Sequence, residues 1–431
     1  MAENGYFPKW RLSRGGAVLP DETLPAPQTV VLGVQHVVAM FGSTALAPLL
    51  MGFDPNVAIF FSGVATLVFF VITGGRLPSY LGSSFAFIAV VAAATGHAVA
   101  SGPNPSIAVA LGGIIICGAL YALIGLLVTI VGHGFVEKLM PPVVTGAIVA
   151  AIGLNLAPIA VKGISASAFD TWIGLLTVVA VGMVAVYGRG MVARLPILIG
   201  GAIVYIVYLA LTNGAGWSKP IDFSGVGAAA WFGWPHFTAP VFEASAIWLI
   251  APVAVILVAE NLGHIKAISV MTGRDLNSLI GRAFIGDGLA TVIAGFGGGT
   301  GVTTYAENMG VMAVTRVYST LIFVVAGLFA ILLGFSPKFG ALIQTIPGPL
   351  IGGLSIVVFG LIAATAGRIF VENKVDFAIP RNLITVGTAL VLGAGDLALK
   401  IGGFTLGGIG TATFGAILLY HLLSGSETAK E

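Results

Sequence analysis

The chain has 431 residues, 57% of them hydrophobic and only 8% charged, whereas a soluble globular chain carries about 25% charged residues. That composition excludes a soluble fold and leaves an all-α polytopic membrane protein. The formal net charge of +2 gives no reason to expect a nucleic-acid partner, and a single cysteine, Cys117, excludes an intrachain disulfide. In the run Gly113-Ile114-Ile115-Ile116-Cys117 that cysteine reads as a buried small hydrophobe.

In chain order, residues 1–28 are polar, with Lys9, Arg11, Arg14, Asp21 and Glu22, and lack the apolar core of a cleavable signal. They read as a cytoplasmic tail. Apolar runs bounded by charges, Gly/Pro breaks and polar loops predict spans near 29–50, 56–73, 79–95, 107–131, 141–160, 171–187 and 193–212. The first carries Gln35 and His36. From Leu77 to Val136 there is no Asp, Glu, Lys or Arg, room for two or more spans of about 20 residues. A loop over 213–245 follows, with Trp217, Trp231 and Trp234 suited to a membrane interface. Seven further spans are predicted near 246–262, 280–296, 303–315, 317–335, 348–367, 382–399 and 403–423, before a short tail over 424–431.

Fourteen spans put both termini on one side, and the basic residues say which. With the N-terminus in the cytoplasm, 15 of the 19 Lys and Arg fall inside and only Lys162, Lys219, Lys338 and Lys400 outside, as the positive-inside rule requires.

Two acids stand out in this background. Glu260 lies in Ile256-Leu257-Val258-Ala259-Glu260-Asn261-Leu262-Gly263-His264, and Glu307 in Thr303-Thr304-Tyr305-Ala306-Glu307-Asn308-Met309-Gly310. A carboxylate at mid-bilayer costs roughly 2.5–3.5 kcal/mol even on permissive scales, so an intramembrane pair points to a transport site. Neither predicted span holds a Lys or Arg to neutralise it. Asp287 is a third acid in an apolar span. His264 lies one helical turn after Glu260, within reach of its carboxyl directly or through a water, and the two are placed to exchange a proton.

The third and tenth spans are short and share a pattern. Ser83-Ser84-Phe85-Ala86 and Thr303-Thr304-Tyr305-Ala306 both read hydroxyl, hydroxyl, aromatic, Ala, and the second begins 220 residues after the first. An offset of seven spans is odd, so the second copy enters the membrane with opposite polarity, as in inverted-repeat transporters. Hydroxyl and aromatic residues beside a Gly favour extended backbone over helix interior. Each segment is therefore expected to be half strand and half helix. Extended backbone at membrane depth survives where it lines a cavity, and it then offers N–H groups to a ligand.

At Gln35-His36-Val37-Val38-Ala39-Met40-Phe41-Gly42, Gly82-Ser83-Ser84-Phe85-Ala86-Phe87, Ala259-Glu260-Asn261-Leu262-Gly263-His264 and the run from Glu307 to Arg316, the chain resembles the nucleobase:cation symporter family of nucleobase–ascorbate transporters. The likeness runs from about 29 to 423. Within that family, Thr303 to Ser319, Gly273-Arg274, Gly286-Asp287-Gly288 and the run Gly402 to Gly408 are similar to bacterial uracil and pyrimidine permeases.

The resemblance implies two inverted sevens, with a core domain (29–132 and 246–335), a gate domain (133–212 and 336–423), proton symport and a homodimer. The implied partners are uracil or a related pyrimidine base, protons and the lipid bilayer of the bacterial inner membrane. The implied substrate contacts come from Glu260, Glu307, Phe85, Ala306, Ser84 and Tyr305. Proton coupling or support of the site is assigned to His264, Asp287, Asn308, Gln35 and His36. Ala306 stands where close uracil carriers often have Gly, and Phe359 where some have a gate Tyr.

Uracil presents two N–H donors and two carbonyl acceptors on a flat ring. Glutamates suit the donors, backbone N–H groups suit the acceptors, and Phe85 can stack on the ring. No catalytic residue, metal or cofactor is expected. Three other readings compete. A purine or xanthine carrier shares the family, and an anion transporter of the sulfate-transporter type shares the fold, although two carboxylates would repel an anion. An intramembrane aspartyl protease would use Gly393-Ala394-Gly395-Asp396, but the chain has no Tyr-Asp pair to supply its second acid.

Overall fold

The computed structural model describes residues 5–99, 102–190, 192, 195–401 and 404–424; Arg194, Gly402, Gly403, Lys430 and most of the 424–431 tail lie outside them. Residues 5–24 hold two short parallel strands, β1 (Arg11–Leu12) and β2 (Glu22–Thr23). Helices α1 (Ala26–Met51) and α2 (Pro55–Ile72) both open with a proline in the first turn, where a missing N–H leaves nothing unpaired. Asp54 caps α2, its side chain accepting from the Asn56 N–H at 2.8 Å. The third segment is β3 (Leu81–Ser83) followed by α3 (Phe87–Thr95). Then come α4 (Ile107–Val131), α5 (Gly134–Leu139), α6 (Pro142–Ile164), α7 (Ala168–Tyr187) and α8 (Pro196–Leu209).

The second half follows a loop that carries α9 (Ser224–Ala228) and exposes Trp217, Trp231 and Trp234. It contains α10 (Ala244–Ile250), α11 (Val253–Thr272), α12 (Ile280–Phe296), β4 (Val302–Thr304) with α13 (Ala306–Thr315), and α14 (Thr320–Gly334). After these come α15 (Pro337–Gln344), α16 (Gly348–Glu372), α17 (Pro380–Ala394), the hairpin β5 (Leu399–Ile401) and β6 (Phe404–Leu406), and α18 (Gly408–Ser424).

Every predicted span contains helix. Among the described residues nine stretches are long and apolar enough to cross a bilayer outright; α3, α13, α14, α17 and α18 are shorter segments. Two boundaries differ from the sequence reading for physical reasons. The eighth span does not stop at 262 but continues through the polar Glu260-Asn261 and His264-Lys266 to Thr272, where Gly273 closes it in the left-handed conformation (φ 64°). Polarity ended the apolar run without ending the helix. The thirteenth span stops at Ala394, not 399, because Gly395 and a left-handed Asp396 (φ 48°) end the helix and Leu399 enters the hairpin. Asp396, the acid of the protease-like motif, is exposed there and accepts from the Asn155 amide at 2.9 Å.

Helix packing repeats with a shift of seven segments. α4 lies along α12, and seven segments on α14 lies along α2; the α2–α12 and α6–α16 contacts map onto themselves. Glycines permit the close approach. A Cβ on Gly118 of α4 would lie 2.7 Å from the Gly288 carbonyl oxygen of α12, and one on Gly327 of α14 would lie 3.0 Å from the Gly63 carbonyl of α2. With little hydrophobic force between helices in lipid, such close backbone packing is what holds them. Helices α1–α4 pack mainly with α10–α14, and α6–α8 with α16–α18.

Candidate functional site

β3 and β4 pair antiparallel, with Leu81 opposite Thr304, Gly82 opposite Thr303 and Ser83 opposite Val302, all buried. The ladder extends through the Ser84 N–H to the Gly301 carbonyl (2.9 Å) and the Tyr305 N–H to the Tyr80 carbonyl (3.0 Å). Two strands alone would leave outer edges unpaired. Threonines supply the partners: Thr66 of α2 accepts from the Leu81 N–H at 3.0 Å, and Thr291 of α12 accepts from the Val302 N–H at 3.3 Å. The two-fold relation thus extends to single hydroxyls, and the extended backbone is satisfied away from water.

Each strand passes directly into a helix. The Phe85 and Ala306 N–H groups, where α3 and α13 begin, have no acceptor within the protein among the described residues. Helix starts leave such donors free by construction, with the positive end of the helix dipole behind them.

The two glutamates converge on this crossing. Glu307 is the second residue of α13, and its carboxylate accepts a hydrogen bond from the Ser43 hydroxyl of α1. Glu260 of α11 lies beside the Thr303 hydroxyl, close enough to Glu307 for the two carboxyls to interact electrostatically. Both are partly buried, and Ala306 between them and β4 is exposed. Among the described residues neither carboxyl forms an ion pair with Lys or Arg.

The other predicted residues divide into two groups. Phe85 is 9% exposed, with the Phe359 ring of α16 edge-on to it at 5.8 Å. Ser84 is buried, and its hydroxyl accepts from the Ala86 N–H at 3.3 Å, so it closes the turn into α3. The Tyr305 hydroxyl donates to the Ser83 carbonyl at 2.9 Å and accepts from Thr44 at 3.1 Å, which pins the two strands. Ser84 and Tyr305 thus have both hydroxyl and backbone N–H engaged within the protein, and the free donors beside them are the N–H groups of Phe85 and Ala306 among the described residues.

His264 makes no direct hydrogen bond to Glu260 among the described residues, the first of the two contacts the one-turn spacing allowed. Its Nδ1 lies 2.7 Å from the Thr304 hydroxyl, because β4 runs against the same face of α11 and offers a nearer partner. Asn308 turns away from the carboxyls, its amide donating to the His36 carbonyl and to His36 Nδ1, each at 3.0 Å. His36 also packs on Phe323, with ring centroids 4.7 Å apart. Gln35 is buried, with its amide nitrogen unpartnered. Asp287 sits behind the site and accepts from the Asn261 amide at 2.5 Å, while Asn261 also donates to the Tyr121 hydroxyl at 2.9 Å.

Sequence reasoning assigned no role to Ser43, Thr304, Tyr121 or Asn261. Ser43 follows directly on the quoted Gln35-to-Gly42 run, and Asn261 is the neighbour of Glu260, so adjacency was the available signal. Gly82 has a testable consequence. A Cβ there would collide with the Tyr305 ring and the Thr44 hydroxyl. Gly82→Ala is expected to lower stability by about 1–3 kcal/mol through overpacking, read as a lower melting temperature in detergent. An unchanged melting temperature would mean that the crossing is not tightly held.

The sequence profile of the permease family (Xan_ur_permease) matches residues 27–402. The chain belongs to the permease family. This permease is 63% identical over 422 residues to RutG of Escherichia coli K12, provisionally named a pyrimidine permease, with 97% of this chain and 95% of that one covered. It is 42% identical to the uracil permease of Paenibacillus larvae, with 93% and 94% covered. The likeness to nucleobase carriers read from the motifs is borne out. The transmembrane domain of the cyanobacterial bicarbonate transporter BicA superposes with a TM-score of 0.64 at 16% identity, covering 90% of this chain and 96% of that one. That match shows the fold, mostly helical with a few short strands.

Proposed function

We propose that this permease imports uracil or a closely related pyrimidine across the bacterial inner membrane together with one or more protons, with both termini in the cytoplasm. The observation that carries the reading is the pair of carboxyls, Glu260 and Glu307, that have no basic partner among the described residues and lie beside two helix starts whose N–H groups find no acceptor among them. A flat ring with two N–H donors and two carbonyl acceptors complements that set. The carboxylates take the ring N–H groups, and the amides at Phe85 and Ala306 face the ring carbonyls. Each buried hydrogen bond left unmade costs about 1–3 kcal/mol, so a base with its donors and acceptors misplaced loses roughly tenfold or more per mismatch.

The names of the two relatives support the pyrimidine assignment over a xanthine carrier. The bicarbonate-transporter likeness concerns the fold and does not favour an anion here, since two carboxyls would repel one. In the transport cycle the body holding the site, spans 1–4 and 8–11, moves against spans 5–7 and 12–14 and exposes the crossing to each side in turn.

Cells expressing the chain are expected to accumulate labelled uracil, with accumulation collapsing on addition of a protonophore, and to take up neither xanthine nor ascorbate. Xanthine uptake without uracil uptake would overturn the pyrimidine assignment. Uracil accumulation indifferent to the protonophore would overturn proton coupling.

A further inference from the structure

The polar N-terminal segment is packed against the bundle, and two of its contacts lie at the ends of the helices that carry the two acids. Val18 forms a parallel bridge with Val317: its N–H donates to the Arg316 carbonyl at 2.9 Å, and its carbonyl accepts from the Tyr318 N–H at 2.7 Å. Arg316 is the left-handed residue (φ 54°) that ends α13. Two residues on, the Pro20 carbonyl accepts from the Thr320 hydroxyl at 3.0 Å, and the Trp10 indole N–H donates to that same hydroxyl at 3.0 Å. Val18 is 3% exposed and shares a small apolar cluster with Val317 and Ile322. Asp21 then pairs with Arg274 at 2.5 Å, immediately after the glycine that closes α11. Phe7 and Trp10 stack on Phe70 of α2 at 5.8 and 5.9 Å, and Arg282 lies over the Tyr6 ring at 5.3 Å.

We propose that residues 10–23 act as a strap that sets the position of the two acid-bearing helices relative to each other, with Val18 and Asp21 as positioning residues for the carboxyls of Glu307 and Glu260. α13 has ten residues, about 15 Å of helix, only half the thickness of a bilayer's hydrocarbon core. It is held at its start by β4 and at its end by the strap. At about 1.5 Å per residue, the end of α13 held by Val18 lies roughly 12 Å along the helix axis from Glu307, and the end of α11 next to the Asp21 contact roughly 18 Å from Glu260. A helix transmits displacement over such lengths as a rigid rod, so loosening its far end moves the carboxyl. The inference rests on the reading of Glu260 and Glu307 as the substrate carboxyls.

The test uses the full chain, purified in detergent and assayed in cells. Val18→Pro removes the N–H given to Arg316, and Asp21→Asn weakens the pair with Arg274. Both are expected to raise the KM for uracil about three- to tenfold, with maximal uptake per transporter little changed. Amides of α13 in Val18→Pro, and of the last turn of α11 in Asp21→Asn, are expected to exchange with deuterium faster by about tenfold, while the melting temperature stays close to wild type. Exchanging the charges, Asp21→Arg with Arg274→Asp, should restore the KM.

Two results would overturn the strap. One is unchanged exchange of those amides and an unchanged KM in both variants. The other is exchange that rises evenly across the protein in step with a fallen melting temperature, which would make the segment a general stabiliser. Hydrogen exchange needs no substrate, so a wild-type chain that fails to take up uracil would sink the transport reading while the exchange result still decides the strap.

Discussion

Glu307→Ala is expected to abolish uracil binding itself, not merely to slow its movement. The substitution removes the acceptor for a ring N–H and leaves the Ser43 hydroxyl without its partner. A buried ring N–H then loses a hydrogen bond to a charged acceptor, at up to about 3 kcal/mol, so affinity should fall roughly a hundredfold, while the unpartnered Ser43 hydroxyl costs stability in the free and bound variant alike. Glu307→Gln separates charge from hydrogen bonding. Its side-chain carbonyl can still accept from Ser43 and from the ring, so it should retain weak binding, down about tenfold. Titration calorimetry on purified protein, with a melting curve to show that each variant is folded, reads both. Wild-type affinity in the alanine variant would remove Glu307 from the substrate site and with it the main support for the proposed chemistry.

Much of this arrangement was legible in the sequence because bilayer physics constrains it so strongly. Apolar length located the spans. The paired hydroxyl-hydroxyl-aromatic-Ala runs located the crossing, since Gly82 and Ser83 are poor helix interior while Thr303, Thr304 and the aromatics Phe85 and Tyr305 suit extended backbone. What stayed hidden was tertiary choice. His264 is one turn from Glu260 along α11, yet Thr304 arrives from another segment and is the nearer partner. The hydrogen bond of Ser43 to Glu307 joins residues 264 apart, which no local pattern encodes. Residues 1–28 read as a polar tail because their charges dominate a hydropathy window. The signal for docking was sparse: Tyr6, Phe7, Trp10 and Val18, scattered along a segment too short on apolar residues to read as a span, are among the side chains that meet the bundle.

The second large effect concerns His264, whose substitution should separate binding from energy coupling. It lies on the helix of Glu260 and touches β4 through Thr304, so under the proposed proton symport it is the candidate for holding or passing a proton while substrate is bound. A transported proton contributes about 2.3 kcal/mol per 100 mV of membrane potential, enough for about fiftyfold accumulation of a neutral base. His264→Ala is expected to lose that accumulation and its dependence on external pH. Exchange of internal for external uracil, which needs the carboxyls and amides but no net proton movement, should persist. Thr304→Val is the control: it removes the hydroxyl partner of the imidazole but keeps the imidazole, so pH-dependent accumulation should survive with altered affinity. If His264→Ala concentrates uracil against a gradient with the wild-type pH profile, the coupling proton travels elsewhere, and the buried Asp287 behind Asn261 becomes the next group to replace.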